Sequence, residues 1–78
     1  MPHIIGEATI SPYDIKTYEI MNADNGGIWE LDTNKVKIKE VKNNCVTIEV
    51  ITGRSANFNL KYKINDKEIV FPITIKSL

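Results

Sequence analysis

The chain has little cysteine and histidine, and this scarcity excludes the usual staples of a small domain. In 78 residues there is one cysteine, Cys45, so no internal disulfide can form. With His3 as the single histidine, the chain also has too few ligands for a structural zinc site. A chain this short buries only about 60% of the surface that its unfolded form exposes. Its stability must therefore come from a well-packed core or from a neighbouring molecule.

An excess of charge and long apolar runs are missing as well. Ten basic and ten acidic side chains give zero net charge, whereas general nucleic-acid binders need a basic surface. No apolar run has the length of a membrane-spanning helix, and no secretory signal follows Met1. We therefore expect no nucleic-acid partner and no membrane partner. A lone thiol without a signal peptide is typical of a reducing compartment.

The sequence also lacks the patterns that carry catalysis. It contains no Ser-His-Asp set, no paired-acid pattern and no phosphate-binding glycine loop. Cys45 is far along the chain from His3, so we predict a free thiol with no base to activate it. Four aspartates lie in or beside turns: Asp14, Asp24, Asp32 and Asp66. They do not have the spacing of a calcium-binding loop. We predict no enzyme, no cofactor and no metal site, and turn or cap roles for these aspartates.

What the sequence does contain is an alternation of apolar and polar residues, the period of half-buried strands. Seven segments carry it, about ten residues apart and separated by Asn-, Gly- and Pro-containing turns. An imperfect alternation near Lys16-Thr17 suggests a bulge, and Asn65-Asp66 is the centre of a predicted hairpin. The segments are residues 4–10, 15–21, 28–31, 35–39, 45–51, 57–64 and 69–75. Such spacing predicts antiparallel sheets with one wet face, in a sandwich or, alternatively, an SH3-like or OB barrel.

Trp29 heads the third segment, directly after the turn-forming residues 22–27. Its strand neighbours are apolar, so we predict a core tryptophan rather than a platform for stacking a sugar or a base. Seven segments with a tryptophan on the third favour a sandwich, because the rival barrels usually have five strands.

Residues of core type recur over nearly the whole chain at positions that one known family shares. They are Ile5-Gly6, Ile10, Pro12, Tyr18, Gly27, Trp29, Val46-x-Ile48-x-Val50, Gly53, Phe58-x-Leu60-x-Tyr62 and Ile73-x-Ile75. In these positions the chain resembles bacterial and phage immunoglobulin-like (Ig-like) modules. It lacks the paired cysteines of antibody domains, and Tyr18 and Tyr62 stand near those positions. The resemblance implies a single all-β domain over residues 1–78, an antiparallel Ig-like β-sandwich of about seven short strands.

The resemblance also carries an expectation about function. Similar modules are non-enzymatic spacers, decorations or adhesive tips in phage virions and on bacterial surfaces. This implies an auxiliary or decoration protein of a bacteriophage capsid, with the major capsid protein or another virion protein as its partner. The location would be the virion, and the host cytoplasm during assembly. The alternative is a spacer or adhesion module on a bacterial cell surface.

Three residues are candidates for contacting such a protein scaffold: Tyr13, Val70 and Pro72. Val70 and Pro72 are out of phase with the core residues of the last segment. Because Pro72 cannot donate a ladder hydrogen bond, that strand is predicted to be an edge or to be bulged. Tyr13 lies in a Pro-Tyr-Asp loop, and exposed tyrosines are frequent interface anchors.

Five lysines define one more candidate surface, a basic stripe. It forms only if their two segments share a sheet; otherwise these lysines are solvated residues that deter edge pairing. The lysines are Lys35, Lys37, Lys39, Lys61 and Lys63.

Overall fold

A computed structural model describes residues 1–78, and all of its regular elements are β-strands. The strands are β1 (His3–Ile5), β2 (Thr9–Ile10), β3 (Ile15–Met21), β4 (Ile28–Leu31), β5 (Val36–Lys42), β6 (Cys45–Val50), β7 (Ala56–Ile64) and β8 (Lys67–Ile75). They form two four-stranded sheets, ordered β1-β3-β6-β5 and β2-β8-β7-β4. The all-β prediction is confirmed, and the arrangement is sandwich-like. No helix with the length and apolarity to cross a membrane is present.

The inner faces of both sheets meet in one hydrophobic cluster of 14 buried residues. β6 illustrates its origin, because Val46, Ile48 and Val50 are fully buried while the residues between them face outward. Each such aliphatic side chain contributes about 1.5–3 kcal/mol when it is removed from water. Trp29 is 6% exposed and its ring meets that of Tyr62 edge-on at 4.9 Å between centroids. The predicted core position of Trp29 is confirmed.

The predicted first strand, residues 4–10, is two strands in different sheets. β1 pairs antiparallel with β3, whereas β2 pairs parallel with β8. Gly6 lies where the chain crosses between the sheets, with a φ of 153° that side-chain-bearing residues rarely adopt. The chain therefore has eight strands rather than seven, and the antiparallel prediction holds for every pair except β2–β8.

The bulge predicted near Lys16-Thr17 is wrong, and the irregularity lies in β5. β3 pairs with β6 in continuous register from Ile15 to Glu19. The register of β5 on β6 shifts between Ile38 and Glu40. Because β5 is an edge of its sheet, a bulge there interrupts a surface on which another strand could pair.

Asparagines with positive φ close the two tightest hairpins. Asn43 and Asn65 both have a φ of 54°, a conformation that asparagine tolerates better than most residues. Each begins a two-residue connection, since Lys42 pairs with Cys45 and Ile64 pairs with Lys67. The hairpin predicted at residues 65–66 is confirmed.

Each sheet buries one tyrosine whose hydroxyl holds a loop. Tyr18 on β3 donates a hydrogen bond of 2.6 Å to the carbonyl of Glu7, in the crossing between β1 and β2. Tyr62 on β7 donates to the carbonyl of Asp24 and accepts from the N–H of Gly27, both at 2.9 Å. A glycine lies against each ring, Gly6 beside Tyr18 and Gly27 beside Tyr62. A methyl group at either position would overlap ring carbons of the tyrosine.

Candidate docking surfaces

Tyr13 occupies a tight turn between β2 and β3 in a conformation that tyrosine rarely adopts. The N–H of Asp14 donates to the carbonyl of Ser11 at 3.2 Å, which closes a four-residue turn. Pro12 holds its second position and Tyr13 its third, where φ is 65°. These features match a type II β-turn, whose third position normally holds glycine. A side chain at positive φ costs about 1–2 kcal/mol, so Tyr13 sits in a strained position.

One further hydrogen bond reinforces the turn itself, and another attaches the turn to β6. The Asp14 carboxylate accepts from the N–H of Ser11 at 2.8 Å, and the Asp14 carbonyl accepts from the N–H of Val50 at 2.9 Å. The Tyr13 ring remains 67% exposed, and its hydroxyl end lies beside the Cα of Gly53. The turn therefore presents the ring on the surface in a defined position.

Two exposed isoleucines extend the apolar surface around Tyr13. Ile15 is 53% exposed and Ile51 is 48% exposed. Ile15 pairs with Glu49, and Ile51 follows Glu49 by two residues, which makes it a diagonal neighbour of Ile15 on the outer face of that sheet. We call Tyr13, Ile15 and Ile51 the tyrosine patch. Sequence reasoning missed both isoleucines, although each is out of phase with the core residues of its own segment.

Charged residues of both signs have backbone positions next to the tyrosine patch, since Asp14 adjoins Tyr13 and Glu49 pairs with Ile15. The carbonyl of Lys35 accepts a hydrogen bond of 2.9 Å from the N–H of Ile51. Arg54 directly follows Gly53, the residue beside the tyrosine ring.

The predicted basic stripe does not form, because its two sets of lysines lie in different sheets. Lys37 and Lys39 are on β5 of one sheet, where their ammonium groups lie 3.4 Å and 3.9 Å from the Glu49 carboxylate. Lys61 and Lys63 are on β7 of the other sheet. No surface therefore gathers the five positive charges into one row.

The positive charge of Lys63 is paired with carboxylates of its own sheet. Its ammonium group is 3.0 Å from Glu30 on β4 and 3.6 Å from Glu68 on β8. The hydrogen bond and charge of Glu30, with a smaller contribution from Glu68, raise the pKa of Lys63 above its usual value. The ammonium group of Lys63, which an acidic partner would have to bind, is thus already paired with two carboxylates.

Val70 and Pro72 lie on the outer face of β8, where β8 is the edge of its sheet. β2 covers β8 only at Thr74 and Ile75, so the preceding part of β8 has no neighbour on that side. The N–H groups of Thr74 and Lys76 donate outward to β2 and its flanks at 2.8 Å. Backbone groups alternate along a strand, so Pro72 belongs to this outward set and its missing N–H breaks no ladder bond. The edge prediction holds for the part of β8 before Thr74, whereas β2 pairs with the strand at Thr74 and Ile75.

The structure separates the three candidate residues into two surfaces. Val70 is 45% exposed and pairs with Lys61, on the outer face of the sheet that contains β8. Tyr13 follows β2, which runs parallel to β8 and pairs with it only at Thr74 and Ile75, beyond the part of the strand that contains Val70. Tyr13 and Val70 therefore cannot contribute to one small contact area.

The turn aspartates have structural partners. Asp32 accepts hydrogen bonds from the backbone N–H of Asn59 at 2.8 Å and from its side-chain amide at 2.9 Å. The backbone bond, followed by the side-chain bond, holds the pKa of Asp32 below its usual value. Asp24 contributes its carbonyl to the Tyr62 hydroxyl, and Asp66 lies in the β7–β8 hairpin. No group of three His, Cys, Asp or Glu side chains has the arrangement of a metal site.

Cys45 begins β6 as a free, half-buried thiol. Glu19 is its register partner on β3, and Lys42 is its partner on β5. It lines a shallow polar depression with Thr17, Asn44 and neighbouring residues on the outer face of that sheet. Its register partners across the ladder are therefore one acidic and one basic residue.

Comparison with known proteins identifies no relative of this chain. The chain matches no protein-family model, no curated protein and no solved structure.

Proposed function

We propose that this chain is a non-enzymatic structural module of Ig-like fold that binds a larger protein scaffold, the capsid of a bacteriophage, through the tyrosine patch. The main support for this proposal is the exposure and backbone conformation of Tyr13. Tyr13 is an exposed aromatic residue with a φ of 65° at a turn position suited to glycine. Backbone strain of this kind persists only where the surroundings impose it, and it is concentrated at binding sites.

The order of the strands supports the Ig-like part of the proposal. If β1 and β2 are counted as two halves of strand A, the first sheet has the order A-B-E-D. The second sheet then has the order G-F-C, with the second half of A beside G. Ig domains of the constant type combine ABED and CFG sheets, and carry a buried tryptophan on strand C, the position of Trp29.

The composition of the tyrosine patch supports binding to a protein surface. Tyrosine is enriched at protein interfaces, and the two isoleucines beside it provide apolar area that water solvates poorly. The patch is small, so one copy would bury less area than a standard stable interface. A shell with many equivalent sites would compensate for weak binding by each copy. The proposed partner is the major capsid protein or another virion protein, and the proposed location is the virion.

One observation favours the alternative, a spacer or adhesion module on a bacterial surface. The carbonyl of Met1 accepts a hydrogen bond from Asn22 after β3, whereas the N–H of Ser77 donates to Ser55 before β7. Because β3 and β6 are antiparallel, these contacts lie at opposite ends of a body 37 Å long and 19 Å wide. Such a module can be joined in series with others.

Mass spectrometry of purified phage particles separates the two proposals. Detection of this chain in stoichiometric amounts with the capsid protein supports the decoration proposal. Its absence from particles, or its detection inside a longer exported polypeptide, overturns that proposal and favours the surface module.

A pair of matched variants tests the docking surface. Tyr13→Asp is expected to abolish binding to particles, because a charge replaces the apolar anchor. Val70→Asp introduces the same charge on the other surface and is expected to leave binding unchanged. Circular dichroism of both variants checks that they remain folded. The reverse result would reject the tyrosine patch and assign docking to the open edge of β8.

A further inference from the structure

The loop between β3 and β4 contains a pair of residues with unusual chemical freedom, Asn25 and Gly26. Both are exposed, and Gly26 has a φ of 100°. No atom lies within 4 Å of the point where a side chain on Gly26 would begin. Neither the amide of Asn25 nor the N–H of Gly26 takes part in a hydrogen bond of the loop. No hydrogen bond therefore occupies the Gly26 nitrogen or restrains the Asn25 side chain, which borders the polar depression beside Cys45.

We infer that Asn25 is a site of spontaneous modification, at which its side-chain amide is lost and an isoaspartyl backbone linkage forms. The Gly26 nitrogen loses its proton and attacks Cγ of Asn25, forming a C–N bond. The bond from Cγ to the side-chain nitrogen breaks, and that nitrogen leaves as ammonia after taking up a proton. Water then opens the resulting five-membered succinimide at either carbonyl, which yields aspartate or isoaspartate. Water is the only co-reactant, and no oxidant or reductant is needed.

The other asparagines of the chain lack this combination. None of them precedes glycine, and a side chain on the following residue hinders approach of its nitrogen. Those in β7 are further restrained by the ladder with β8. These asparagines are Asn22, Asn34, Asn43, Asn44, Asn57, Asn59 and Asn65. The reaction is therefore expected to be selective for Asn25.

The modification acts on a loop that one side chain holds at both ends. The Tyr62 hydroxyl bonds to the carbonyl of Asp24 and to the N–H of Gly27, each at 2.9 Å, so that only two residues lie between. An isoaspartyl residue inserts a methylene group into this short span and adds a negative charge. The two hydrogen bonds cannot both keep their present geometry. Since the Tyr62 ring contacts Trp29, tryptophan fluorescence reports the change.

Incubation of the intact protein in mildly alkaline buffer, followed by peptide mapping, tests the inference. The peptide containing Asn25 is expected to gain the mass of an amide-to-acid conversion before any other peptide, with release of ammonia. Isoaspartate is expected to be the major product, detected by an isoaspartyl methyltransferase assay. Conversion of another asparagine first, or retention of the Asn25 amide throughout, would overturn the inference.

Two kinds of control separate the chemistry from its structural effect. Asn25→Gln and Gly26→Ala should each slow conversion at this peptide roughly tenfold or more, because ring closure or nitrogen access is impaired. Asn25→Asp carries the new charge without the extra methylene and should retain the fluorescence of the unmodified protein. Conversion of Asn25→Gln at the original rate would contradict the succinimide route. Unchanged fluorescence in fully converted protein would contradict coupling through Tyr62.

Discussion

Tyr18 and Tyr62 share three features in the two sheets but hold different parts of the chain. Each is buried, each ring lies against a glycine, and each hydroxyl reaches a backbone carbonyl outside the core. Tyr18 makes one hydrogen bond and holds the chain where it crosses between sheets. Tyr62 makes two and holds both ends of a loop. Similar residue chemistry thus stabilises a strand crossing in one sheet and a loop in the other.

The two tyrosines also differ in their aromatic neighbours and nearby charges. Tyr62 meets the buried Trp29, whereas Tyr18 meets the half-buried Phe71 at 5.7 Å between ring centroids. Burial, with the negative charges of Glu7 and Asp14, raises the pKa of Tyr18 to about 12. The Tyr62 ring therefore packs against a more deeply buried aromatic partner, and the environment of Tyr18 favours its protonated phenol.

The largest expected loss of stability comes from truncating Trp29, whose ring packs against Tyr62. Trp29→Ala should lower the free energy of unfolding by about 3–5 kcal/mol, as large aromatic truncations in cores do. Phe71→Ala should lower it less, because Phe71 is only half-buried. Urea unfolding followed by circular dichroism measures both. Equal losses would contradict the difference in packing between the two sites.

Alkaline pH should weaken the protein in part through Tyr18. Its folded-state pKa of about 12 lies above the ordinary value of 10.0, so folding favours the protonated phenol. Its stabilising contribution is fully present below pH 10 and is lost as the pH rises towards 12. A shift of this size corresponds to about 2–3 kcal/mol. Tyr18→Phe should reduce the loss of stability in this pH range, measured by urea unfolding at several pH values.

Removing each hydroxyl alone tests the difference in hydrogen bonding. Tyr62→Phe leaves a donor and an acceptor without partners and should cost about 2 kcal/mol, since each unmade bond costs roughly 1 kcal/mol or more. Tyr18→Phe leaves one acceptor and should cost about 1 kcal/mol near neutral pH. Chemical denaturation gives both values. A greater loss for Tyr18→Phe would reverse the comparison.

The smallest expected effect concerns the exposed tyrosine. Tyr13→Gly should raise the free energy of unfolding by up to about 1 kcal/mol, because glycine relieves the strain at positive φ. Tyr13→Ala keeps the strain and serves as the matched control. Thermal unfolding measures both variants. If Tyr13→Gly is no more stable than Tyr13→Ala, the turn does not strain the tyrosine, and the chief support for the proposed function is lost.

The alternating segments and Trp29 could be predicted because burial acts on individual side chains. Val46, Ile48 and Val50 belong to a two-residue period, and the same period creates the inner face of β6. Turn residues were equally readable, as the hairpin at Asn65 demonstrates. Tyr13 could be selected as a surface residue because its loop contains proline and aspartate. Its positive φ could not be predicted, because most residues avoid that conformation.

Local patterns in the amino-acid sequence specify the class of structure, namely strands, turns and one apolar face per strand. Which strands became neighbours was decided only by the tertiary structure. Residues 4–10 divided between two sheets, the two sets of lysines separated, and Tyr13, Ile15 and Ile51 came together. The physical reason is that local alternation specifies which side of a strand is buried. It carries no information about strand order, which depends on how two twisted sheets close over a shared core.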